Sequence, residues 1–520
     1  HTLSAGIDNI RSQALDQGGH APGPGYVWSY QRADDPSLPL DASHGIGPVA
    51  GFPNGAAGYY VQRNTWSGIT TISSSQKAQY IEDKWQVADN LLLSIGLRND
   101  QFTNFNSDGV PYIRQTKPQW APRLGAAWDV HGDSSFKVYA NAGRYYLGLP
   151  LNPGLIVAAG FYNTTHLYTY SGIAADGSPT GLTDISGEYS ALNQFGQAPD
   201  PKTATARTLE PEYQDEFILG FEHTLGDAWV WGLKSTYRNL RNAIDDFCSM
   251  SQVAAAANAA GHDVANFNTC YLINPGRTNV FTMIDGDGSY FDFPMSMQDL
   301  GFKQKLIRKY YGLEAVLEHP VADNWYGKAS YVFSRSYGNT EGQVRSDASQ
   351  GGTSTSYDWD NWTIMENANG PQNNDHTHQL KLYGYYTFSP EWLVSANFAA
   401  VSGTPRHCLS FYGQQQLDPL GYGSVYHFCN GEPSPPGKQG RMPWMTQLDL
   451  GVTWTPDFGD HRLAFTGSIF NVLDSQVALQ RYAFAQTTPS SDASPNNPLF
   501  QTVTIRQPPR SIRLSVSYDF

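Results

Sequence analysis

The chain has 520 residues and a formal net charge of −14, with 33 Lys and Arg against 47 Asp and Glu, which excludes nucleic acid and an anionic membrane surface as general electrostatic partners. Charged residues make up only 15% and aromatic residues 13%, with 31 Tyr and 13 Trp, a balance unlike that of an ordinary cytosolic enzyme. No apolar run approaches the roughly 18 residues of a membrane-spanning helix, so helical spans are excluded, whereas spanning β-strands, whose two faces average out in hydropathy, are not.

Apolar and polar residues alternate with a period of two along most of the chain, the pattern of strands with unlike surroundings on their two faces. Strands are predicted near residues 1–9, 77–87, 90–104, 118–129, 135–148, 208–225 and 228–246. Further strands follow near 308–319, 324–338, 376–388, 391–403, 444–456, 461–473 and 510–520. In LLLSIGLRND, Leu91, Leu93, Ile95 and Leu97 oppose Ser94, Gly96, Arg98 and Asp100. In the closing SIRLSVSYDF, Ile512, Leu514, Val516, Tyr518 and Phe520 oppose Ser511, Arg513, Ser515, Ser517 and Asp519.

The connections alternate between short and long. VADN, HGDS, LGDA, HPVAD, SPE and PDFGD are tight, and the others run from about a dozen to nearly seventy residues. Sandwiches and propellers do not sort their loops this way. An all-β transmembrane barrel of the bacterial outer membrane does, with short periplasmic turns and long outer loops. Its apolar face meets lipid and its polar face lines a lumen. Trp85, Trp120, Trp128, Trp229, Trp325, Trp392, Trp444 and Trp454 stand near strand ends, where interfacial aromatic girdles belong. The chain is therefore expected to cross the bacterial outer membrane many times, with lipid as one partner.

Four cysteines fall as two local pairs without a CxxC motif, Cys248 with Cys270 and Cys408 with Cys429, each inside one long loop. Disulfides and an oxidising compartment are expected. SQVAAAANAAG reads as a short helix within a loop, with Ser251 as cap and Gly261 as stop.

Candidate chemistry is sparse. DGDGSYFD clusters Asp285, Asp287 and Asp292, which could hold calcium, although Tyr290 stands where an EF-hand needs Gly and a tight turn is the simpler reading. NNDHTHQL places His376 and His378 on one strand face without further ligands in view. No nucleophile elbow, phosphate loop or zinc-protease motif occurs, and neither an enzyme nor a resident cofactor is expected. The loops carry more. STSYDWDNWT sets Tyr357, Trp359 and Trp362 around Asp358 and Asp360, and GFYNTTHLYTY and GYVWSY hold further rings among small polar residues. Exposed rings beside hydrogen-bonding groups suit recognition of a peptide or glycan, and these five residues are the candidate ligand site.

Several stretches resemble the Oar-like branch of the TonB-dependent outer-membrane receptors. AQYIEDKWQVADNLLLSIGLRNDQF is similar to its recurrent hairpin, carried here by Asp83, Trp85, Gly96, Leu97 and Arg98. WAPRLGAAWDV, LEPEYQDEFILGFEHTL, SGTPRH, IFNVLDS and PPRSIRLSVSYDF resemble later landmarks in the same order. The resemblance implies a barrel of roughly 22 strands with a plug in its lumen, preceded by a small carboxypeptidase-regulatory-like domain. With about fourteen strands countable, residues 1–520 are expected to be the barrel portion alone, with about eight strands and the plug supplied before His1. It also implies energised passage of an extracellular ligand (a peptide, glycan or chelate), contact with the TonB complex through the plug, and insertion by the barrel assembly machinery on a terminal signal at Tyr518 and Phe520. A complete passive channel and a surface adhesion or scaffold barrel are the alternatives.

Overall fold

The computed structural model describes residues 1–520 except 43–44, 191–193, 227, 266, 269, 349–355, 460–461 and 520, and the side chains of 156 and 322. Its main element is an antiparallel sheet whose long strands follow one another in chain order. We number them β1 (Thr2–Gln17), β2 (Thr70–Ala88), β3 (Leu91–Phe105), β4 (Trp120–Asp129), β5 (Phe136–Leu147), β6 (Glu212–Leu225) and β7 (Trp229–Asn242). The wall continues with β8 (Arg308–Ala322), β9 (Trp325–Gly338), β10 (His378–Ser389), β11 (Trp392–Val401), β12 (Met445–Trp454), β13 (Leu463–Phe470) and β14 (Ser511–Tyr518). Every predicted strand is present. Two are longer than expected, β1 running to Gln17 and β2 starting at Thr70. Two short strands, Pro111–Gln115 and Gly370–Pro371, extend the sheet beside β3 and β9. Among the described residues, β1 pairs with β2 and β14 with β13, and the two do not pair with each other.

The faces divide as the alternation predicts. On β3, Leu93 and Leu97 share a face with Ile95, which is 47% exposed. Leu219 is 60% and Leu514 82% exposed on the same outer surface, where lipid rather than water is the solvent. The opposite face carries ion pairs between neighbouring strands: Lys137–Glu222 at 2.7 Å, Lys234–Glu314 at 2.5 Å and Lys328–Glu318 at 2.8 Å, whereas Arg144–Asp215, at 2.9 Å, lies on the outer face at the long-loop end of β5 and β6. The Tyr139 ring lies across Gly220 on the adjacent strand, where a Cβ would come within 2.6 Å of it. Tryptophans girdle the short-turn end, with Trp392 stacked on Trp454 at 5.8 Å and Trp229 edge-on to Trp325 at 5.5 Å. The β8–β9 turn has positive φ at Asp323 and Asn324 (51° and 67°), the conformation that a two-residue hairpin loop requires. Of the closing aromatic pair, Tyr518 ends β14, and Phe520 lies outside the described residues.

The long connections fold together rather than trailing. The apolar core of the molecule lies in them, with Phe247, Val253, Tyr271, Phe281, Phe302, Trp359 and Met365 all at most 1% exposed. Smaller cores join Tyr112 and Leu149 to Ile244 and Leu272, and Ala348 to Leu409 and Ala483. The long loops thus form one packed tier at one end of the wall.

Candidate functional site

The five ring and acid residues of the predicted ligand site come together, but as interior. Trp359 is 0%, Asp358 5% and Asp360 3% exposed, so the expectation of an exposed recognition surface is corrected. Trp359 packs on Phe302 at 5.4 Å inside the loop core, Tyr357 packs on Tyr422 at 5.1 Å, and Trp362 sits edge-on to Tyr412 at 5.8 Å. The Trp362 indole covers Gly301, which has φ of +90° and no room for a Cβ. The physical reason is volume: rings this large are the material from which a loop tier without regular layers can build a core. Of STSYDWDNWT, residues 354–355 lie outside the described residues.

Beside these rings lies a buried polar cluster. Arg345, 2% exposed, donates from Nη2 to the Val425 carbonyl at 2.8 Å and reaches Asp347 at 3.0 Å and Asp358 at 3.4 Å. Burial pushes Asp347 up, yet Arg345, His407 and His427 outweigh it and hold the carboxyl at about 2. Burial raises Asp358 to about 7 against the opposing pull of Arg345. His427 is driven down to about 3 by burial and then by the Arg345 charge, and remains a neutral imidazole 3.2 Å from Arg345.

The open feature of the tier is a cavity of about 510 Å³. Leu155, Phe161, Met250, Met283 and Ile284 supply apolar wall, and Asn163, Asn268 and Thr282 supply polar groups. This size and this mixture suit one small ligand. The two remaining ring-rich stretches do meet beside it. GYVWSY and GFYNTTHLYTY contribute Tyr26–Arg32 and Tyr162–Thr169 to a second sheet, in the order Thr183–Tyr189, Tyr162–Thr169, Tyr59–Ser67, Tyr26–Arg32. Register aligns Trp28, Arg63, His166 and Glu188 in one row. Arg63 stands over the Tyr26 and Tyr168 rings at 5.7 and 6.0 Å and lies 3.7 Å from Glu188. Neither the cavity nor this sheet was foreseen as a unit. The shared ring content of the two stretches was the available signal.

The remaining expectations resolve locally. Cys248–Cys270 and Cys408–Cys429 are disulfides. The helix spans Met250–Ala259 with Ser249, not Ser251, at its N-cap. Asp285 and Asp287 close the hairpin between Asn279–Ile284 and Tyr290–Met295. Asp285 accepts from the Asp263 N–H at 2.7 Å and bonds His262 at 2.8 Å, and Asp287 accepts from the Ser289 N–H at 2.9 Å. Asp292 pairs with Arg207 and accepts from Thr282. These carboxylates serve the turn and its neighbours. His376 Nδ1 bonds the Ser402 carbonyl at 2.6 Å and His378 Nδ1 the Tyr331 hydroxyl at 2.7 Å, so both help seat β10 in the wall.

The chain is similar to several known proteins. TonB-dependent transporter Oar from Myxococcus xanthus is 24% identical over 78% of this chain, which spans only 36% of that protein's length. Among solved structures, the outer membrane transporter YddB from Escherichia coli is 13% identical, covering 89% of this chain and 50% of its own, with a TM-score of 0.46. The siderophore receptor PirA from Acinetobacter baumannii is 12% identical, covering 100% of this chain and 60% of its own, with a TM-score of 0.44. The family of outer membrane beta barrel domains matches residues 104–410, and with the lipid-facing wall, the tryptophan girdle and the one-sided loops it places the chain in the bacterial outer membrane, as a member of that family.

Proposed function

We propose that these residues are the wall and outer loop tier of a TonB-dependent outer-membrane transporter that takes up an extracellular ligand. The observation that carries the reading is the cavity of about 510 Å³ among the long loops, on the side that a ligand meets first. Its apolar lining with Asn163, Asn268 and Thr282 favours a small ligand with a flat or aliphatic body and a few hydrogen-bonding groups. The row of Trp28, Arg63, His166 and Glu188 beside it offers further ring and charge contacts. The similarity to the Myxococcus xanthus transporter supports energised passage over a passive pore. Among the described residues β1 pairs with β2 alone and β14 with β13 alone, which supports a wall that continues in the intact receptor, since unpaired backbone in lipid costs several kcal/mol per group. In that reading a lumen plug relays TonB, and the barrel assembly machinery reads the β14 end.

The test is depletion of medium components by cells carrying the intact receptor, followed by mass spectrometry, with and without a protonophore. At least one component should disappear in a receptor-dependent, protonophore-sensitive way, and Leu155→Trp, which fills the cavity, should abolish this. Depletion indifferent to the protonophore would mean a passive channel. Cell adhesion without any depletion would mean a scaffold.

A further inference from the structure

The outer face of the wall sorts its cations by depth. On strands β1–β14, the Lys and Arg residues that register places on the lipid-facing side are Arg11, Lys77, Arg144, Arg241, Lys309 and Arg335, and each stands in the half of its strand nearest the long loops. At the short-turn end that face carries tryptophan and, among the described residues of these strands, no Lys or Arg. In a chain whose net charge is −14, a one-sided basic border does not follow from composition.

From β5 to β9 the border is continuous. Arg144, directly opposite Asp215, donates to it from Nε at 2.9 Å, and its guanidinium lies over the Tyr213 ring at 4.4 Å. Arg241, at a bulge in β7, donates from Nε to the same carboxylate at 3.0 Å, so one acid serves two bases and the trio keeps a positive charge. The Arg241 side chain is 52% exposed, and its Nη nitrogens have no partner among the described residues. Lys309 stands opposite Asn239, diagonal to Arg241, and Arg335 stands opposite Tyr311, diagonal to Lys309. Diagonal positions are roughly 7–8 Å apart, a gap that one phosphate bridges. Lys309 forms no ion pair among the described residues, and the Arg335 guanidinium comes no nearer to an acid than 3.9 Å, at Asp375. Toward mid-membrane the face turns first to rings, with Tyr237 on Tyr311 at 5.2 Å, and then to exposed Leu219, Leu313 and Phe333.

A cation bordering hydrocarbon is costly unless its stem carries the charge out to the headgroups and an anion meets it there. Phosphate is the anion at that depth, and the guanidinium fork matches its oxygens. We propose that Arg144, Arg241, Lys309 and Arg335 bind the phosphorylated headgroup of a lipid in the outer leaflet, with one phosphate seated between Arg241 and Lys309. The acyl chains of that lipid then lie along the exposed row of Leu219, Leu313 and Phe333, directly below the basic border. An acidic protein in its place would have to strip lipid from that row. The site needs only that the long loops face outward, and it stands whether or not the tier takes up a ligand.

The experiment uses the full receptor purified from outer membranes into a non-ionic detergent and delipidated. It is titrated with lipid A carrying its phosphates and with the dephosphorylated form, and bound lipid is counted by native mass spectrometry. The phosphorylated form should bind about tenfold more tightly, and the paired change Arg241→Gln with Lys309→Gln should remove about that factor. Lys381→Gln, on the inner face, should keep the parent affinity. Equal binding of the two lipid forms overturns the proposal and leaves acyl contact alone. Undiminished binding in the paired variant overturns it equally, as does displacement of the lipid by equimolar inorganic phosphate, which would mean an ion site without a lipid. The heat-modifiable gel shift shows whether each variant has formed its barrel, and if the paired variant has not, the two lipid forms compared on the parent still decide.

Discussion

The wall and the loop tier are built from one chain under opposite rules. In β6, Leu219 is 60% exposed while its neighbours in the pattern turn their charges inward, because the outer solvent is hydrocarbon. In the tier, Trp359, Phe247 and Met365 are 0% exposed, because the outer solvent is water. An apolar residue in this molecule therefore has no fixed address until the solvent around its segment is known. Stability in the wall comes from ladders and lipid contact, and in the tier from packing density, disulfides and buried polar partners.

That division can be broken at several points. Trp359→Ala removes the largest fully buried side chain, and about 3–5 kcal/mol should be lost from the tier alone. Loop proteolysis should rise while the heat-modifiable gel shift of the barrel is unchanged, and loss of that shift would mean that wall and tier are not independent. Leu219→Arg does the converse, at a cost of about 2–4 kcal/mol near mid-membrane, read as reduced assembled barrel with loops still protease-resistant in the fraction that inserts. Removing either disulfide, whose partners are 22 and 21 residues apart, should cost about 3 kcal/mol of local loop stability, seen in peptide-resolved hydrogen exchange confined to that loop.

The finest test is pH. His427 is lowered from 6.5 to about 3 when folded, so its contribution is full above the unfolded value and is lost as pH falls through about 3. By pH 5 the loss amounts to about 2 kcal/mol. Asp358, raised to about 7, has the opposite sign, its contribution being full below the ordinary carboxylate value and lost as pH rises through 7. Loop stability of His427→Asn against the parent at each pH isolates the histidine, and the two should converge as the medium is acidified. A constant difference between pH 7 and pH 5 would remove this account.

The wall was legible because lipid enforces a period of two on every strand, and Val452 or Ile512 announces its face from two neighbours on each side. The tier was not. Phe247, Phe302 and Trp359 pack together although they are separated by long stretches of chain, and no local period links them. A ring in a loop reads the same whether it faces a ligand or a core, and this is why the pattern points Tyr357, Trp359 and Trp362 to a surface. The cysteine pairs were readable because each closes within one loop. The cavity was not, because its lining gathers single residues such as Gly68, Phe161, Met250 and Ile284 from several loops.

The cross-strand charges of the inner wall do something that alternation cannot. Lys137 faces Glu222, Lys234 faces Glu314, and Glu318 faces Lys328, each directly opposed in its ladder. If one strand slipped by a single residue, its apolar side would turn from lipid, and the error would be expelled by hydration alone. A slip of two residues keeps every face correct and is invisible to that check. It would, however, set Lys137 against Gly220 or Thr224 and leave Glu222 beside no base. The paired charges thus distinguish the right registration from its nearest silent competitor.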